Sequence, residues 1–509
     1  LVPGVQRRSQ GGQGSVMNIN GARADNTNFL VDGFNDQNVR SGVAVARPPL
    51  DALQEFKMQV TGYSAEYGRL AGGAMNMVLK TGTNKLHGTL FEFVRNDLFD
   101  ARNFFDTDKS KLRRNQFGGT LNGPVVIPRV YDGRNRTFFL GSVESYRQVA
   151  GSTRLSRVPT ALERAGNFTQ TIDPATGVRV NLKDPSVTGT CSATNAAGCF
   201  PGNVIPASRI DPIAARLAAF YPEANRPGVN NFRANLNDTD SWNSFLVKGD
   251  HRLSDKDQFS ARYLTRLNDT QNPFNGSDFG NFGNAVNDQV SMGGVTHTRI
   301  FSPSLINEAR LGFTRITSAQ RANRGGEDWN VKVGLPAPPD PRAAGFPRVT
   351  VRDFGALGET TNMPLTFAVT TYEAGDTLTW VRNKHLVKTG GMMIQSRFLQ
   401  PAFNIVRGTY NFLGRWTNDP YGDFLLGLLN NSARRVNPGD ARLTGYTGGL
   451  FAQDDWRVTS RLTVNVGLRY ELLQPIGEKD GKHNSRAESG SARARCSAAS
   501  RPRASASAG

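Results

Sequence analysis

Five histidines, His87, His251, His297, His385 and His483, are the side chains best suited to acid–base or metal chemistry, and their spacing supports neither. No two stand in the H-E-x-x-H arrangement that puts a pair of imidazoles on one helix face. Gly62-Tyr63-Ser64-Ala65-Glu66 lacks the second glycine of a nucleophile elbow. Gly477-Glu478-Lys479-Asp480-Gly481-Lys482-His483 falls short of a phosphate-cradling loop at its last position. Cys191 and Cys199 lie eight apart in a Gly/Ala/Asn-rich stretch. An oxidising compartment would allow a local bridge there, and two free thiols are the alternative. No C-x-x-C or Cys/His ligand set occurs, which argues against zinc. The run Asn235-Leu236-Asn237-Asp238-Thr239-Asp240 offers hard oxygen donors to Ca²⁺, or is simply a solvated loop. Phe274, Phe279, Phe282 and Trp329 are candidate loop contacts for a sugar or peptide. The expectation is a protein that is not an enzyme, with no catalytic residue, cofactor or metal site.

With chemistry set aside, the question becomes what the elements build. The chain has 509 residues, 38% of them hydrophobic, and a mean hydropathy of −0.44. No window approaches the roughly 18 apolar residues of a membrane-crossing helix, and the longest aliphatic run is Phe424 to Leu429. A helical membrane protein is excluded. A membrane β-barrel is not, because its strands need only about 9–11 residues with alternate positions apolar. The formal charge of +18 suggests attraction to phosphate, in nucleic acid or in anionic lipid head groups. The basic residues are scattered and no nucleic-acid-reading motif is present, so no nucleic-acid partner is expected. The chain starts at Leu1 without a leader pattern, which reads as a processed start or a fragment.

Alternation with a period of two recurs through the chain. Leu462, Val464, Val466, Leu468 and Tyr470 alternate with Thr463, Asn465, Gly467 and Arg469. Phe259, Ala261 and Tyr263 alternate with Ser260 and Arg262, and Ala309, Leu311 and Phe313 with Glu308, Arg310 and Gly312. One face meets an apolar medium and the other meets water. A half-buried sheet in a soluble sandwich gives the same pattern. About eleven such strands follow Lys85: Leu86–Arg95, Gln116–Gly123, Arg136–Arg147, Asn243–Arg252, Gln258–Arg266, Val286–Arg299, Leu305–Thr314, Tyr372–Val381, Leu386–Arg397, Gly449–Arg457 and Arg461–Glu471. Their connections alternate short and long, and the long ones read as irregular. Unstructured loops of that size argue against an ordinary compact domain and suit an outer-membrane barrel, short-turned at one end and long-looped at the other.

Before Lys85 the chain reads as a small mixed unit. Val16, Met17 and Ile19 fit a short strand, with Asn20-Gly21 as a turn. Phe29-Leu30-Val31-Asp32-Gly33 is a strand ending where glycine can take a positive φ. Pro48 to Phe56 carries Leu50, Leu53 and Phe56 at helical spacing and predicts a helix of one to two turns. Lys57–Val60 and Ala74–Lys80 read as strands around a segment of small residues. After Pro475 the composition turns to Ser, Ala and Arg. This predicts a tail without strands or a role, either disordered or read out of frame.

The order N-G-A-R, F-L-V-D-G, L-D-A-L-Q-E-F-K and A-E-Y-G-R-L-A-G-G-A-M-N-M-V-L-K-T-G resembles the plug domain of TonB-dependent outer-membrane receptors. The continuation N-K-L-H-G-T-L-F-E-F-V-R-N-D resembles their Oar-like branch. The resemblance covers residues 15 to 475. It implies a mainly β fold in which a small α/β plug (1–84) precedes an incomplete antiparallel transmembrane β-barrel (85–475), with the tail at 476–509. The family's barrels close with twenty-two strands, so about half would be present. Asp32, Gly33, Glu66, Tyr67, Gly68, Gly72 and Gly73 match the plug pattern, where their implied role is structural. Glu66 is also a candidate to pair with a lumen arginine as a latch. The implied setting is the bacterial outer membrane. The implied partners are outer-membrane lipid, an extracellular ligand, and a TonB-type periplasmic energy-coupling protein acting through a segment N-terminal to Leu1. Such a truncated chain is expected not to transport by itself. The alternatives are a surface or adhesion protein acting through its long loops, and a secreted soluble β-rich protein, against which Leu462–Tyr470 speaks.

Overall fold

A computed structural model describes residues 5–9, 15–19, 22, 27–38, 42–60, 64–68, 73–102, 104, 109–401, 403–436, 439–480 and 495–499. At the N-terminal end β1 (Val5–Ser9) pairs antiparallel with β2 (Ser15–Ile19). The plug sheet is β3 (Thr27–Val31), β4 (Phe34–Asn35), β5 (Leu53–Gln59) and β6 (Gly73–Leu79), in the order β4-β3-β6-β5 with β3 parallel to β6. Asp32 and Gly33 turn β3 into β4 with φ of +45° and +82°. Two successive positive φ values fit the twist of a tight hairpin, and Asp-Gly is a favoured pair for them. The helix expected over Pro48–Phe56 does not form. Leu50–Ala52 makes one 3-10 turn, and β5 takes over at Leu53. Pairing with β6 satisfies backbone groups that so short a helix would leave open. Phe56, with no face to bury it, lies 61% exposed. The turn expected at Asn20-Gly21 lies outside the described residues.

The wall is one antiparallel sheet. Its long strands are β7 (His87–Asn96), β8 (Leu112–Pro124), β11 (Thr137–Ser156), β12 (Phe232–Arg252), β13 (Asp257–Asn272), β14 (Asn284–Ser302), β15 (Leu305–Ala322), β17 (Leu365–Arg382), β18 (His385–Pro401), β21 (Asp440–Arg457) and β22 (Thr463–Leu473), each paired with the next. The turn between β8 and β11 holds the small hairpin β9 (Val126–Ile127) and β10 (Tyr131–Asp132). All eleven expected strands are present, and most run further than the sequence suggested. β12 has 21 residues and β11 has 20, about twice what a bilayer requires, so the wall rises beyond the membrane at its long-loop end. The run Asn235–Asp240 is therefore part of β12 and not a loop; its side chains alternate between faces instead of converging on a cation. The apolar residues of the alternation point outward. Leu311, Leu450 and Val466 are 65%, 67% and 61% exposed, as a lipid-facing surface requires.

The long connections are largely irregular in backbone, yet they share a packed core. Residues 157–231, 273–283, 323–364 and 403–436 fold together into a cap with its own core, in which Phe168, Leu182, Phe282, Phe346, Tyr421 and Phe424 are fully buried. Four short helices brace it: α1 (Ala161–Arg164), α2 (Pro212–Ala218), α3 (Trp329–Val333) and α4 (Pro420–Leu425). Each carries a side-chain N-cap. Thr160 and Glu163 form a reciprocal capping box, and Asp211, Asp328 and Asp419 accept from first-turn amides. A three-stranded sheet of β16 (Arg348–Val351), β19 (Thr409–Phe412) and β20 (Asn431–Ala433) adds a second brace. Phe279 and Phe282 are core residues here, Phe274 is buried, and Trp329 packs against the core. They are not the exposed ligand contacts their loop positions suggested. Cys191 and Cys199 are bridged, which answers the question the spacing left open.

Beyond Pro475 two strands appear where none was expected. β23 (Gly477–Glu478) pairs with β21, and β24 (Arg495–Ala499) pairs antiparallel with β22. The open backbone edge of β22 is the template for β24, while β23 takes the stretch of β21 that β22 leaves unpaired. The rest of that tail, 481–494 and 500–509, lies outside the described residues.

Candidate functional site at the seam of plug and wall

Residues directly opposite one another across a sheet share a face. One such row carries Lys248 on β12, Arg262 on β13, Gly294 on β14, Gly312 on β15 and Glu373 on β17. It faces inward, onto the plug, and its order is positive, positive, bare, bare, negative. The Asp32 turn of the plug meets the positive part. Asp32 Oδ2 lies 2.7 Å from Arg262 Nη1 and 3.4 Å from Lys248 Nζ. Asp32 Oδ1 accepts the Leu79 amide at 2.7 Å, so one carboxylate ties plug strand to plug strand and plug to wall. Next to it the Phe34 ring rests on the two wall glycines. A Cβ at Gly294 or Gly312 would fall 2.6 or 2.3 Å from that ring. The Arg262 guanidinium covers the ring at 3.9 Å, a cation–π contact in a dry setting. At the row's far end the Glu373 carboxylate accepts the Asn35 amide at 3.0 and 3.2 Å.

The second plug contact is the segment 64–68. Glu66 Oε2 stands 3.6 Å from Lys388 Nζ, and Glu66 Oε1 stands 4.0 Å from Arg310 Nη2. Arg310 also donates to the Gly33 carbonyl at 3.2 Å, linking the two contacts. Arg469 on β22 donates to the Ala65 and Glu66 carbonyls at 3.2 and 3.1 Å. The Gln453 side-chain oxygen accepts from Ser64 Oγ and the Ala65 amide at 2.7 and 2.8 Å. Gly68 fits because it has no side chain: a Cβ would sit 1.9 Å from Glu471 Oε1. At Gly73 a Cβ would lie 2.6 Å from the Gln59 carbonyl oxygen. Tyr67 lines a cavity of about 50 Å³ with Glu66, Arg310, Glu373 and Met392, a volume suited to a few waters. Burial and the neighbouring Glu66 hold the Tyr67 hydroxyl above its ordinary pKa.

Between these polar contacts the seam is apolar. Val31, Phe34, Ala46, Met77 and Leu79 of the plug pack against Leu246, Leu264, Met292, Ile316 and Val369 of the wall. Within the plug, Asp36 is fully buried and accepts the Ala46 and Val45 amides at 2.6 and 3.3 Å. Burial pushes its carboxyl up to about 7.

Of the residues singled out in the sequence, Asp32, Gly33, Glu66, Tyr67 and Gly68 meet at this seam, whereas Gly73 packs within the plug against Gln59 and Ile19; Gly72 lies outside the described residues. Glu66 does pair with a lumen arginine. The wall partners Lys248, Arg262, Arg310, Glu373, Lys388 and Arg469 were not foreseen. Their signal was the charged residue interrupting the polar face of an alternating strand, as at Arg262 and Arg310. His483 lies outside the described residues, and among the described residues no cluster of three or more His, Cys, Asp or Glu could hold a metal ion. No helix among them is long and apolar enough to cross a membrane.

Comparison with known proteins agrees with this arrangement. Residues 78–500 match the family described as outer membrane beta barrel domain, and residues 1–75 match the TonB-dependent receptor plug domain. The TonB-dependent transporter Oar of Myxococcus xanthus is 26% identical over 154 residues, which are 29% of this chain and 14% of that protein. The outer membrane transporter YddB of Escherichia coli superposes with a TM-score of 0.51 at 12% identity, over 91% of this chain and 51% of YddB. The chain thus spans about half of YddB and a smaller part of Oar.

Proposed function

Because the chain belongs to the TonB-dependent receptors of the bacterial outer membrane, we propose that it serves energy-coupled uptake of an extracellular ligand, with the seam of plug and wall as the joint that opens. The chain then divides into a plug over residues 1–84, a wall over 85–475 and a tail over 476–509. The observation that carries this reading is the way the plug is held against the inner face of the wall: by ion pairs and glycine seats with buried side chains packed between them. Such contacts are strong while dry and weak once water enters. A TonB-type periplasmic protein pulling the N-terminal side of the plug would separate Asp32 from Arg262 and Lys248 and hydrate all three. The cap lies over the long-loop end, where an incoming ligand first meets the protein.

The test is to delete the gene in its host and follow uptake of labelled ferric chelates, oligosaccharides and peptides, with and without a protonophore. Loss of uptake of one class on deletion, and equal loss with the protonophore, supports the proposal. Unchanged uptake of every class would refute it. A second reading, surface attachment through the cap, draws on the cap's separate hydrophobic core. It predicts that deletion impairs adhesion and leaves uptake intact.

A further inference from the structure

The positive charge of the chain is not spread evenly over the fold. The five short turns, 125–136, 252–257, 299–304, 382–385 and 457–462, hold ten Lys and Arg against three Asp. The cap connections 157–231, 273–283, 323–364 and 402–439 hold sixteen against thirteen, and the stretch 97–111 holds three against four. All ten basic residues of the turns are exposed. Arg134 and Arg299 reach the carboxylates of Asp132 and Asp257 at 3.8 and 3.2 Å; neither pair is buried, so both remain open to competition from another anion. Directly beside this rim the outward face carries aromatic rings. Phe259 stacks on His297 at 4.4 Å, Trp456 stacks on His385 at 5.5 Å, and Trp380 stands exposed between them in the sheet order β13-β14-β15-β17-β18-β21. An aromatic girdle marks the level of the head groups in a membrane barrel. The basic turns therefore lie just outside that level, on the short-turn, periplasmic side.

We propose that the short-turn rim binds the phosphate head groups of anionic phospholipids in the periplasmic leaflet of the outer membrane. Charge complementarity selects this occupant. An arc of exposed guanidinium and ammonium groups follows the short-turn edge of the sheet at head-group depth, with apolar Leu253, Val381 and Leu462 exposed among them. Each such cation near an anionic leaflet contributes about 1 kcal/mol, which is roughly fivefold in lipid affinity. The cap end, near balance in charge, has no comparable preference.

The experiment uses the receptor purified from its host's outer membranes. Native mass spectrometry follows adducts after equilibration with equal amounts of phosphatidylglycerol and phosphatidylethanolamine. The variant R129Q/R134Q/R136Q/R457Q/R461Q is set against a cap control, R179Q/R226Q/R415Q. The proposal requires phosphatidylglycerol adducts to exceed phosphatidylethanolamine adducts at least tenfold, with that preference lost in the rim variant and kept in the cap control. It also requires the unaltered receptor to lose most of the preference between about 0.05 and 0.5 M NaCl, because exposed charges are screened. That arm needs no variant to fold. Equal adducts of the two lipids, or a preference indifferent to salt and to the rim substitutions, would overturn it. So would displacement of the lipid by millimolar inorganic phosphate, which would make the rim a site for the free ion.

Discussion

Asp32 works in two directions with one carboxylate. It accepts the Leu79 amide inside the plug and pairs with Arg262 and Lys248 on the wall. Their side chains are 11%, 5% and 7% exposed, so Asp32→Asn strands two buried cations. Breaking such a pair from one side costs about 3–5 kcal/mol. The expected outcome is a loosened plug, read as faster hydrogen exchange at β3 and β6; exchange unchanged from the parent would contradict it. Glu66→Gln is the contrast. Lys388 is 33% exposed and the Arg310 distance is long, so the same readout should move by no more than about 1 kcal/mol. Asp36 supplies a pH dependence. Its folded pKa of about 7 lies above the ordinary 3.8, so the folded plug holds a proton that the unfolded chain has released. The contribution of Asp36 to plug stability is then greatest below pH 4, falls as pH rises toward 7, and levels off above it, a loss on the order of 4 kcal/mol. Asp36→Asn should flatten that slope in a series of denaturant titrations, and a slope that persists would assign it elsewhere. The Asp-Gly turn was legible because two adjacent residues specify it. The partner Arg262 was not, because it stands 230 residues away and nothing local marks which inward arginine an aspartate will find.

At the scale of elements, the plug is seated by an absence of side chains. Gly294 and Gly312 leave the hollow that Phe34 fills, and Arg262 closes it from the other side. Gly312→Ala puts a methyl 2.3 Å from a ring that is 2% exposed, an overpacking worth about 1–3 kcal/mol. Adding Phe34→Leu should recover part of the loss in thermal unfolding. If the double variant is no better than the single, the hollow is not what Gly312 provides. In the cap, the Glu359–Arg407 pair at 3.0 Å is 0% and 4% exposed, and Glu359 also accepts the Arg324 and Phe346 amides. Glu359→Gln should make the cap susceptible to limited proteolysis while the wall strands stay protected; a cap as resistant as before would show the pair to be dispensable. The wall strands were legible because a period of two survives any loop length. The cap was not, because its core residues come from four separate connections and carry no shared period. Its local signals were present all the same: Thr160-x-x-Glu163, Asp211-Pro212 and Asp419-Pro420 are helix starts. The helix expected at Pro48–Phe56 failed for the opposite reason, since a true local period was overruled by strand pairing with β6.

For the molecule as a whole, the sheet is the fact that constrains the rest. It begins at β7, which pairs with β8 alone among the described residues, and it reaches β22 with β24 beyond, without the two ends meeting. An open edge in lipid leaves a row of amides and carbonyls with no partner, each costing several kcal/mol. An open edge in water invites pairing with another chain. The outward apolar face cannot settle in water, and the edges cannot settle in lipid, so neither medium suits these 509 residues taken by themselves. The polar contacts of the plug do not relieve this, because Asp32, Glu66 and Arg469 all act on the inner face. Refolded alone from urea into detergent micelles, the chain should therefore give edge-paired oligomers, and gel mobility should lack the heat-induced shift of a closed barrel. A monodisperse monomer with such a shift would mean that β7 finds a partner within this chain, and the wall would then be a small closed barrel. The same experiment on the receptor purified from its host's outer membrane separates the two cases, since a barrel completed by further strands shifts on heating even if the 509-residue chain does not.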